Sequence, residues 1–95
     1  MREKEIEKKL VDAVKRRGGA CLKWVSPGFA GMPDRIVLFP LARIGFVEVK
    51  APDEKARPLQ KSRHRLLRKL GFKVYVIDGA GQIPSVLDEI GGGNG

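Results

Sequence analysis

The chain has 95 residues, a length that leaves room for only one domain. Of these residues 42% are hydrophobic and 32% charged, a composition that excludes a disordered chain or a fibrous repeat. Nineteen Lys and Arg against eleven Asp and Glu give a net charge of +8 at pH 7. A balance this basic favours nucleic acid as the partner over a small-molecule substrate, and a merely solvated basic surface is the alternative.

The first predicted element is a helix over residues 3–17. Ile6, Leu10 and Val14 recur at helical spacing among charged residues, and Gly18-Gly19 ends the pattern. The single apolar stripe predicts that one side of this helix packs against the rest of the fold.

Three strands are predicted next. Residues 20–25 form a short strand, and the Gly- and Pro-rich residues 26–33 form a loop. Residues 34–39 and 44–50 are rich in β-branched and aromatic residues, and residues 40–43 connect them. This pattern predicts an antiparallel hairpin.

A second helix, a fourth strand and a last short helix complete the prediction. Pro58 suits the first turn of a helix that ends at residue 70, before Gly71, and residues 72–77 and 82–90 form the strand and the last helix. The order αβββαβα combines a hairpin with a β-α-β unit. It predicts an α/β fold in which a mixed sheet is flanked by helices.

The ends of the chain and its single cysteine bear on domain bounds and location. We expect one domain over residues 1–90 and a flexible glycine-rich tail over residues 91–95. Cys21 is expected in the core, and a lone cysteine fits a reducing compartment. Residues 1–5 lack the apolar region of a signal peptide, and no apolar run approaches the roughly 20 residues of a membrane span. We therefore expect a cytoplasmic protein of bacterial or viral origin.

An acid and a base stand at the end of the third predicted strand. Glu48 and Lys50 are two residues apart, and the period of two in a strand places them on the same face. Taken alone, such a pair is most simply explained as a surface ion pair.

Asp34 opens the neighbouring strand, and the hairpin can bring its carboxylate alongside Glu48. Two carboxylates at close range repel each other unless a cation lies between them. Mg²⁺ or Mn²⁺, held by the two carboxylates, a main-chain carbonyl such as that of Val49, and water, meets that need. Lys50 would then activate the attacking water or stabilise the phosphate during phosphodiester hydrolysis.

These residues belong to a wider pattern, which runs Gly31-Met32-Pro33-Asp34, then Glu48-Val49-Lys50, then Pro58-Leu59-Gln60. The pattern resembles the VRR-NUC domain of the PD-(D/E)xK nuclease superfamily, and the resemblance extends over nearly the whole chain. It implies a metal-dependent DNA endonuclease with an αβββαβ core and with Asp34, Glu48 and Lys50 at the catalytic positions. It also implies branched DNA, notably the four-way (Holliday) junction, as the substrate.

The resemblance extends to an acid on the first helix. Related resolvase-like nucleases use a glutamate there as a further metal ligand, and Glu3 and Glu7 are the candidates in this chain. We favour Glu7, because it stands three residues before Leu10 of the apolar stripe and can therefore point towards the sheet.

The second predicted helix carries two more polar residues of interest. Gln60 stands where the family has a glutamine, and its amide could hydrogen-bond Glu48, Lys50 or a scissile phosphate. His64 lies four residues later. We expect it on the helix surface or on the side that faces DNA.

Positive charge is concentrated on this helix and on the segment before it. Side chains at such density can neutralise several phosphates, and no base-reading motif accompanies them, so we expect contact with the DNA backbone independent of sequence. The residues expected to bind DNA are Lys55, Arg57, Lys61, Arg63, Arg65 and Arg68.

A homodimer is expected because one copy carries one set of catalytic residues and a four-way junction needs two related cuts. The candidate interfaces are the loop that contains Phe29 and the last helix around Val86, Leu87 and Ile90. Two other functions are compatible with the sequence. One is a nicking or restriction-type nuclease on other DNA structures, and the other is a nucleic-acid-binding module without catalysis.

Overall fold

The computed structural model describes residues 1–91, and its elements follow the predicted order. Every predicted helix and strand is present, with bounds shifted by at most two residues. The elements are α1 Glu3–Arg16, β1 Ala20–Lys23, β2 Arg35–Phe39, β3 Arg43–Val49, α2 Pro58–Lys69, β4 Lys73–Ile77 and, after a 3-10 turn at Ala80–Gln82, α3 Ile83–Gly91. Gly91 thus ends α3, and the rest of the expected tail lies outside the described residues.

The four strands form one sheet in the order β1-β2-β3-β4. β2 pairs with β1 and β3 in antiparallel fashion, and β3 pairs with β4 in parallel. The predicted hairpin and the predicted mixed sheet are therefore confirmed. α2 is the crossover between the two parallel strands, and it packs against β4 and the face of the sheet that carries Phe46.

One face of the sheet carries the main core. The apolar stripe of α1 and the inner side of α3 pack on it, with Val37, Val47, Val49 and Ile77 from the strands. Gly45 on β3 permits the close approach of α3, because an added Cβ would lie 2.5 Å from Cδ1 of Ile90. Cys21 is half-buried beside this core, and burial raises the pKa of its thiol to about 11.

The position of α3 corrects one expectation. Val86, Leu87 and Ile90 are 7%, 0% and 2% exposed, because they fill the core between α3 and the sheet. The last helix was therefore wrong as a candidate dimer surface, since these side chains are already buried within one chain.

The opposite face of the sheet is only partly covered. Leu67 of α2 packs there against Phe46 and Val74. Phe46 also lies between two further aromatic rings in edge-to-face contact, Trp24 at 5.9 Å and Phe72 at 5.6 Å between centroids. α2 thus covers the β3–β4 side of this face, where Glu48 also lies.

Within residues 1–91, no helix combines the length and the apolar character that crossing a membrane requires.

Candidate active site

Asp34 is fixed between two strands at the open end of the hairpin. Its carbonyl oxygen accepts a hydrogen bond from the amide of Trp24 at 2.7 Å, and its Oδ2 accepts one from the amide of Val49 at 3.1 Å. The hairpin therefore holds the Asp34 carboxylate against the end of β3, which is the juxtaposition expected from the sequence.

Glu48 lies on the side of β3 that faces α2, and it is 2% exposed. Its Oε2 accepts a hydrogen bond from Nε2 of Gln60 at 3.3 Å and lies 3.9 Å from Nζ of Lys50. Its Oε1 lies 3.8 Å from Nε2 of His64. Lys50 is also buried, at 8% exposure. Glu48 and Lys50 are therefore not the solvated surface ion pair that was the simplest explanation of their spacing.

The surroundings of Glu48 disfavour its charged form. Burial raises the pKa of Glu48 to about 8, and the hydrogen bond and the charge of Asp34 add to the effect. The Lys50 charge lowers the pKa of Glu48, and the Glu3 charge raises it. Two carboxylates in such contact compete for one proton unless a cation is bound between them.

Gln60 connects α2 to the acidic residues through both ends of its amide. Its Oε1 accepts a hydrogen bond from the amide of Arg57 at 2.8 Å, which satisfies a free donor at the start of the helix. Its Nε2 is thereby turned towards Glu48. Gln60 does bond to Glu48, which was one of the three partners left open by the sequence.

The sequence predicted His64 on the surface of α2 or on the side that faces DNA. In the structure its side chain is 2% exposed and lies beside Glu48, so the surface position was wrong. Burial lowers the pKa of His64 below its usual 6.5, and the charges of Arg68 and Lys50 lower it further. The signal that could have placed it is its spacing, because it lies four residues after Gln60 and so on the same side of the helix.

Comparison with known proteins identifies the family of this chain. The family model of the VRR-NUC domain matches residues 1–81. The chain belongs to the VRR-NUC family. Putative nuclease p44 of Acyrthosiphon pisum secondary endosymbiont phage 1 is 50% identical over 78 residues, which cover 82% of this chain and 84% of that protein. A solved VRR_NUC domain superposes with a TM-score of 0.85 at 31% identity and covers 90% of this chain and 94% of that one.

Family membership makes the chain a nuclease domain, and the donor set of its site can be tested for a metal. Within residues 1–91, no three His, Cys, Asp or Glu side chains form a metal-binding group. Asp34, bound to the amide of Val49, and Glu48, the residue before Val49, supply two carboxylates at one strand end, and one or two carboxylates with water are the usual protein ligands of Mg²⁺. The residues present therefore fit a divalent cation held by carboxylates and water.

The two candidate acids of α1, Glu3 and Glu7, occupy different surroundings in this VRR-NUC domain. The favoured candidate, Glu7, accepts a hydrogen bond from Nε of Arg35 at 2.9 Å, and its carboxylate is engaged on β2. Glu3 at the first turn is the acid of α1 whose charge acts on Glu48. The structure thus pairs Glu7 with Arg35, while Glu3 is exposed and its charge raises the pKa of Glu48 only as the smallest of several causes.

Of the six basic residues expected to bind DNA, four line one cavity, and Arg57 and Arg63 do not. Arg63 donates to the carbonyl of Ala30 at 2.8 Å, and its guanidinium stacks on the Phe29 ring at 3.8 Å, so it fastens the loop of residues 26–33 to α2. Arg57 stands at the start of α2. The other four residues, Lys55, Lys61, Arg65 and Arg68, line a cavity of about 450 Å³. His64 lines the same cavity.

Proposed function

We propose that this VRR-NUC domain is a divalent-metal-dependent DNA endonuclease that resolves four-way junctions as a homodimer. The observation that carries the proposal is the convergence of Asp34, Glu48 and Lys50 at the end of the hairpin. A binding module without catalysis would have no use for two carboxylates in contact beside a buried lysine, since this arrangement costs stability.

Asp34 and Glu48 are the residues that would hold the cation. The main-chain carbonyl of Val49 is a further candidate ligand, and the bond from the amide of Val49 to Asp34 keeps this strand end in place. When bound, Mg²⁺ or Mn²⁺ polarises the scissile phosphate and lowers the pKa of a bound water. Glu3 is better placed than Glu7 to supply the acid from α1, since Arg35 engages Glu7.

Lys50 acts on the reacting atoms. Its ammonium lies at the same strand end as both carboxylates and is 3.9 Å from Glu48. From this position it orients the attacking water or stabilises the charge that develops on the phosphate. Gln60 holds Glu48 in place from α2, so that the carboxylate does not have to be ordered during the reaction.

The cavity beside His64 is the proposed path of the DNA backbone. Its four basic side chains outnumber the two acids on its wall, Glu54 and Asp78. Phosphates that bind there would lie directly next to the catalytic residues, because His64 lines the cavity and also faces Glu48. Backbone contacts of this kind position the DNA without reading its bases.

A second copy of the chain would cover the open part of the sheet. Leu22, Trp24 and Phe72 are 50%, 38% and 39% exposed. Leu22 pairs with Ile36, which pairs with Phe46, and Phe46 contacts the rings of Trp24 and Phe72, so these side chains share one face. The exposed Phe29 loop remains the second candidate. A two-fold dimer would provide two catalytic sites for the two cuts.

The test is cleavage of labelled four-way junction, flap and linear duplex DNA in Mg²⁺, in Mn²⁺ and in chelator. We expect paired cuts in the junction that require the metal. Equal cleavage of linear duplex would instead support the restriction-type nuclease, and single cuts would support the nickase. Binding without cleavage in any metal would support the non-catalytic module.

A further inference from the structure

Two buried polar atoms face each other beside the catalytic residues without a hydrogen bond. Oε1 of Glu48 and Nε2 of His64 are 3.8 Å apart, and within residues 1–91 neither atom has a hydrogen-bond partner. Both side chains are 2% exposed, so bulk water does not reach the gap. Buried polar atoms are nearly always paired, and two unpaired atoms that face each other indicate a contact that forms in another state of the site.

The other oxygen of the same carboxylate already has a donor. Gln60 donates to Oε2 of Glu48, and Gln60 and His64 stand four residues apart on α2. Their side chains therefore leave the same side of the helix and reach the two oxygens of one carboxylate. A neutral imidazole carries one N–H, and the tautomer with the hydrogen on Nε2 points it at Oε1.

We propose that His64 is a positioning residue for Glu48, whose Nε2–H donates to Oε1 and fixes the carboxylate in the orientation that binds the divalent cation. The inference rests on the proposed function. Closing the gap to an ordinary hydrogen bond needs a movement of only about 1 Å. His64 itself contacts neither the metal nor DNA in this role, and it acts through Glu48 alone.

Carboxylates that bind metals are commonly held by such outer hydrogen bonds, and the loss of one typically weakens metal binding by about 10- to 100-fold. Gln60 and His64 would together hold Glu48 on both oxygens. This explains why a histidine is buried in a helix whose other polar residues are mostly exposed.

The test is Mn²⁺ binding by calorimetry without DNA, followed by cleavage of DNA at saturating Mn²⁺. His64→Leu removes the donor, His64→Gln restores an N–H near the position of Nε2, and Ser62→Ala is the control on the same helix. We expect His64→Leu to raise the Kd for Mn²⁺ by about 10-fold or more, and His64→Gln to stay within about threefold of wild type. At saturating Mn²⁺, His64→Leu should recover most of the wild-type cleavage rate.

Two results would overturn the proposal. Wild-type affinity in His64→Leu would mean that the contact does not matter, and equal losses in His64→Leu and His64→Gln would mean that His64 binds the metal itself. Should His64→Leu fail to fold, His64→Asn replaces it, because its shorter amide cannot reach Oε1. Equal affinities of the Asn and Gln variants would then contradict the role. Absence of Mn²⁺ binding and cleavage in the wild type would instead contradict the proposed function as well.

Discussion

Gln60 donates a hydrogen bond from Nε2 to Oε2 of Glu48 at 3.3 Å, while its other amide atom caps the start of α2. The orientation of this amide is fixed by the helix, because only the oxygen can accept the Arg57 N–H. The start of α2 and the acid of β3 are therefore coupled through one side chain.

Gln60→Glu should separate the two tasks of this residue. The carboxylate can still accept the Arg57 N–H and cap the helix, but it cannot donate to Glu48 and places a like charge beside it. We expect the melting temperature in metal to stay near that of wild type and cleavage to fall by about 10-fold or more. Gln60→Ala should lose both stability and activity. Wild-type cleavage by Gln60→Glu would show that the bond to Glu48 is dispensable.

The proposed catalytic residues should tolerate substitution structurally but not chemically. We expect Asp34→Asn, Glu48→Gln and Lys50→Ala each to reduce cleavage by at least about 100-fold, since each removes one preorganised catalytic group. Circular dichroism and DNA binding by anisotropy should remain close to wild type. Rapid cleavage by Glu48→Gln in Mg²⁺ would contradict the metal site.

Glu3→Gln and Glu7→Gln extend this prediction to α1 as a matched pair. Because the charge of Glu3 acts on Glu48 and Arg35 engages Glu7, the Glu3 variant should lose more activity. The Glu7 variant should mainly lose stability, since it leaves Arg35 without its partner at half-buried positions. The reverse order would restore Glu7 as the acid of α1.

The raised pKa of Glu48 predicts how stability without metal depends on pH. Burial and Asp34 raise this pKa from 4.5 to about 8. The folded chain therefore keeps a proton that the unfolded chain releases, and this contribution to stability is complete below about pH 4.5 and lost as pH rises towards 8. Urea unfolding in chelator from pH 5 to 9 should show the decline.

Glu48→Gln is the control, because its amide is neutral at every pH and has the shape of the protonated acid. The difference in unfolding free energy between this variant and wild type should grow in favour of the variant as pH rises to 8. Addition of Mg²⁺ should reduce the decline in wild type only. Parallel pH profiles for the two proteins would show that Glu48 titrates normally.

DNA binding should depend on salt through the residues that line the basic cavity. Lys61→Gln combined with Arg65→Gln should reduce the slope of log K against log salt by about 0.9 for each lost phosphate contact. Lys9→Gln with Lys15→Gln is the control of equal charge on α1, across the sheet from α2. Equal slopes in both double variants would place the DNA elsewhere.

The dimer prediction concerns the open face of the sheet. Light scattering should give twice the chain mass for wild type and a single chain mass for Leu22→Glu, because a buried unpaired charge disrupts an apolar interface. Leu41→Glu makes the same change at the exposed hairpin turn and should leave the dimer intact. Mixing Asp34→Asn with wild type should give nicked junctions. A monomeric, fully active wild type would contradict the dimer.

The sequence by itself determined the elements and the strand end that carries the proposed catalytic residues. Helical and strand periodicities are local properties, and so the order αβββαβα and the hairpin followed from them. The spacing of Glu48 and Lys50 along one strand, with Asp34 across the turn, placed the acids and the base together for the same reason.

Only the tertiary structure decided which part of the fold each side of a helix packs against. The apolar residues of α3 could have formed an outer surface, but Gly45 admits Ile90 and makes α3 part of the core. His64 and Arg63 are adjacent in sequence, yet one is buried against Glu48 and the other is bound to the loop at Ala30. Such outcomes depend on packing between segments far apart in the chain, because a local pattern specifies an apolar or polar side but not its partner.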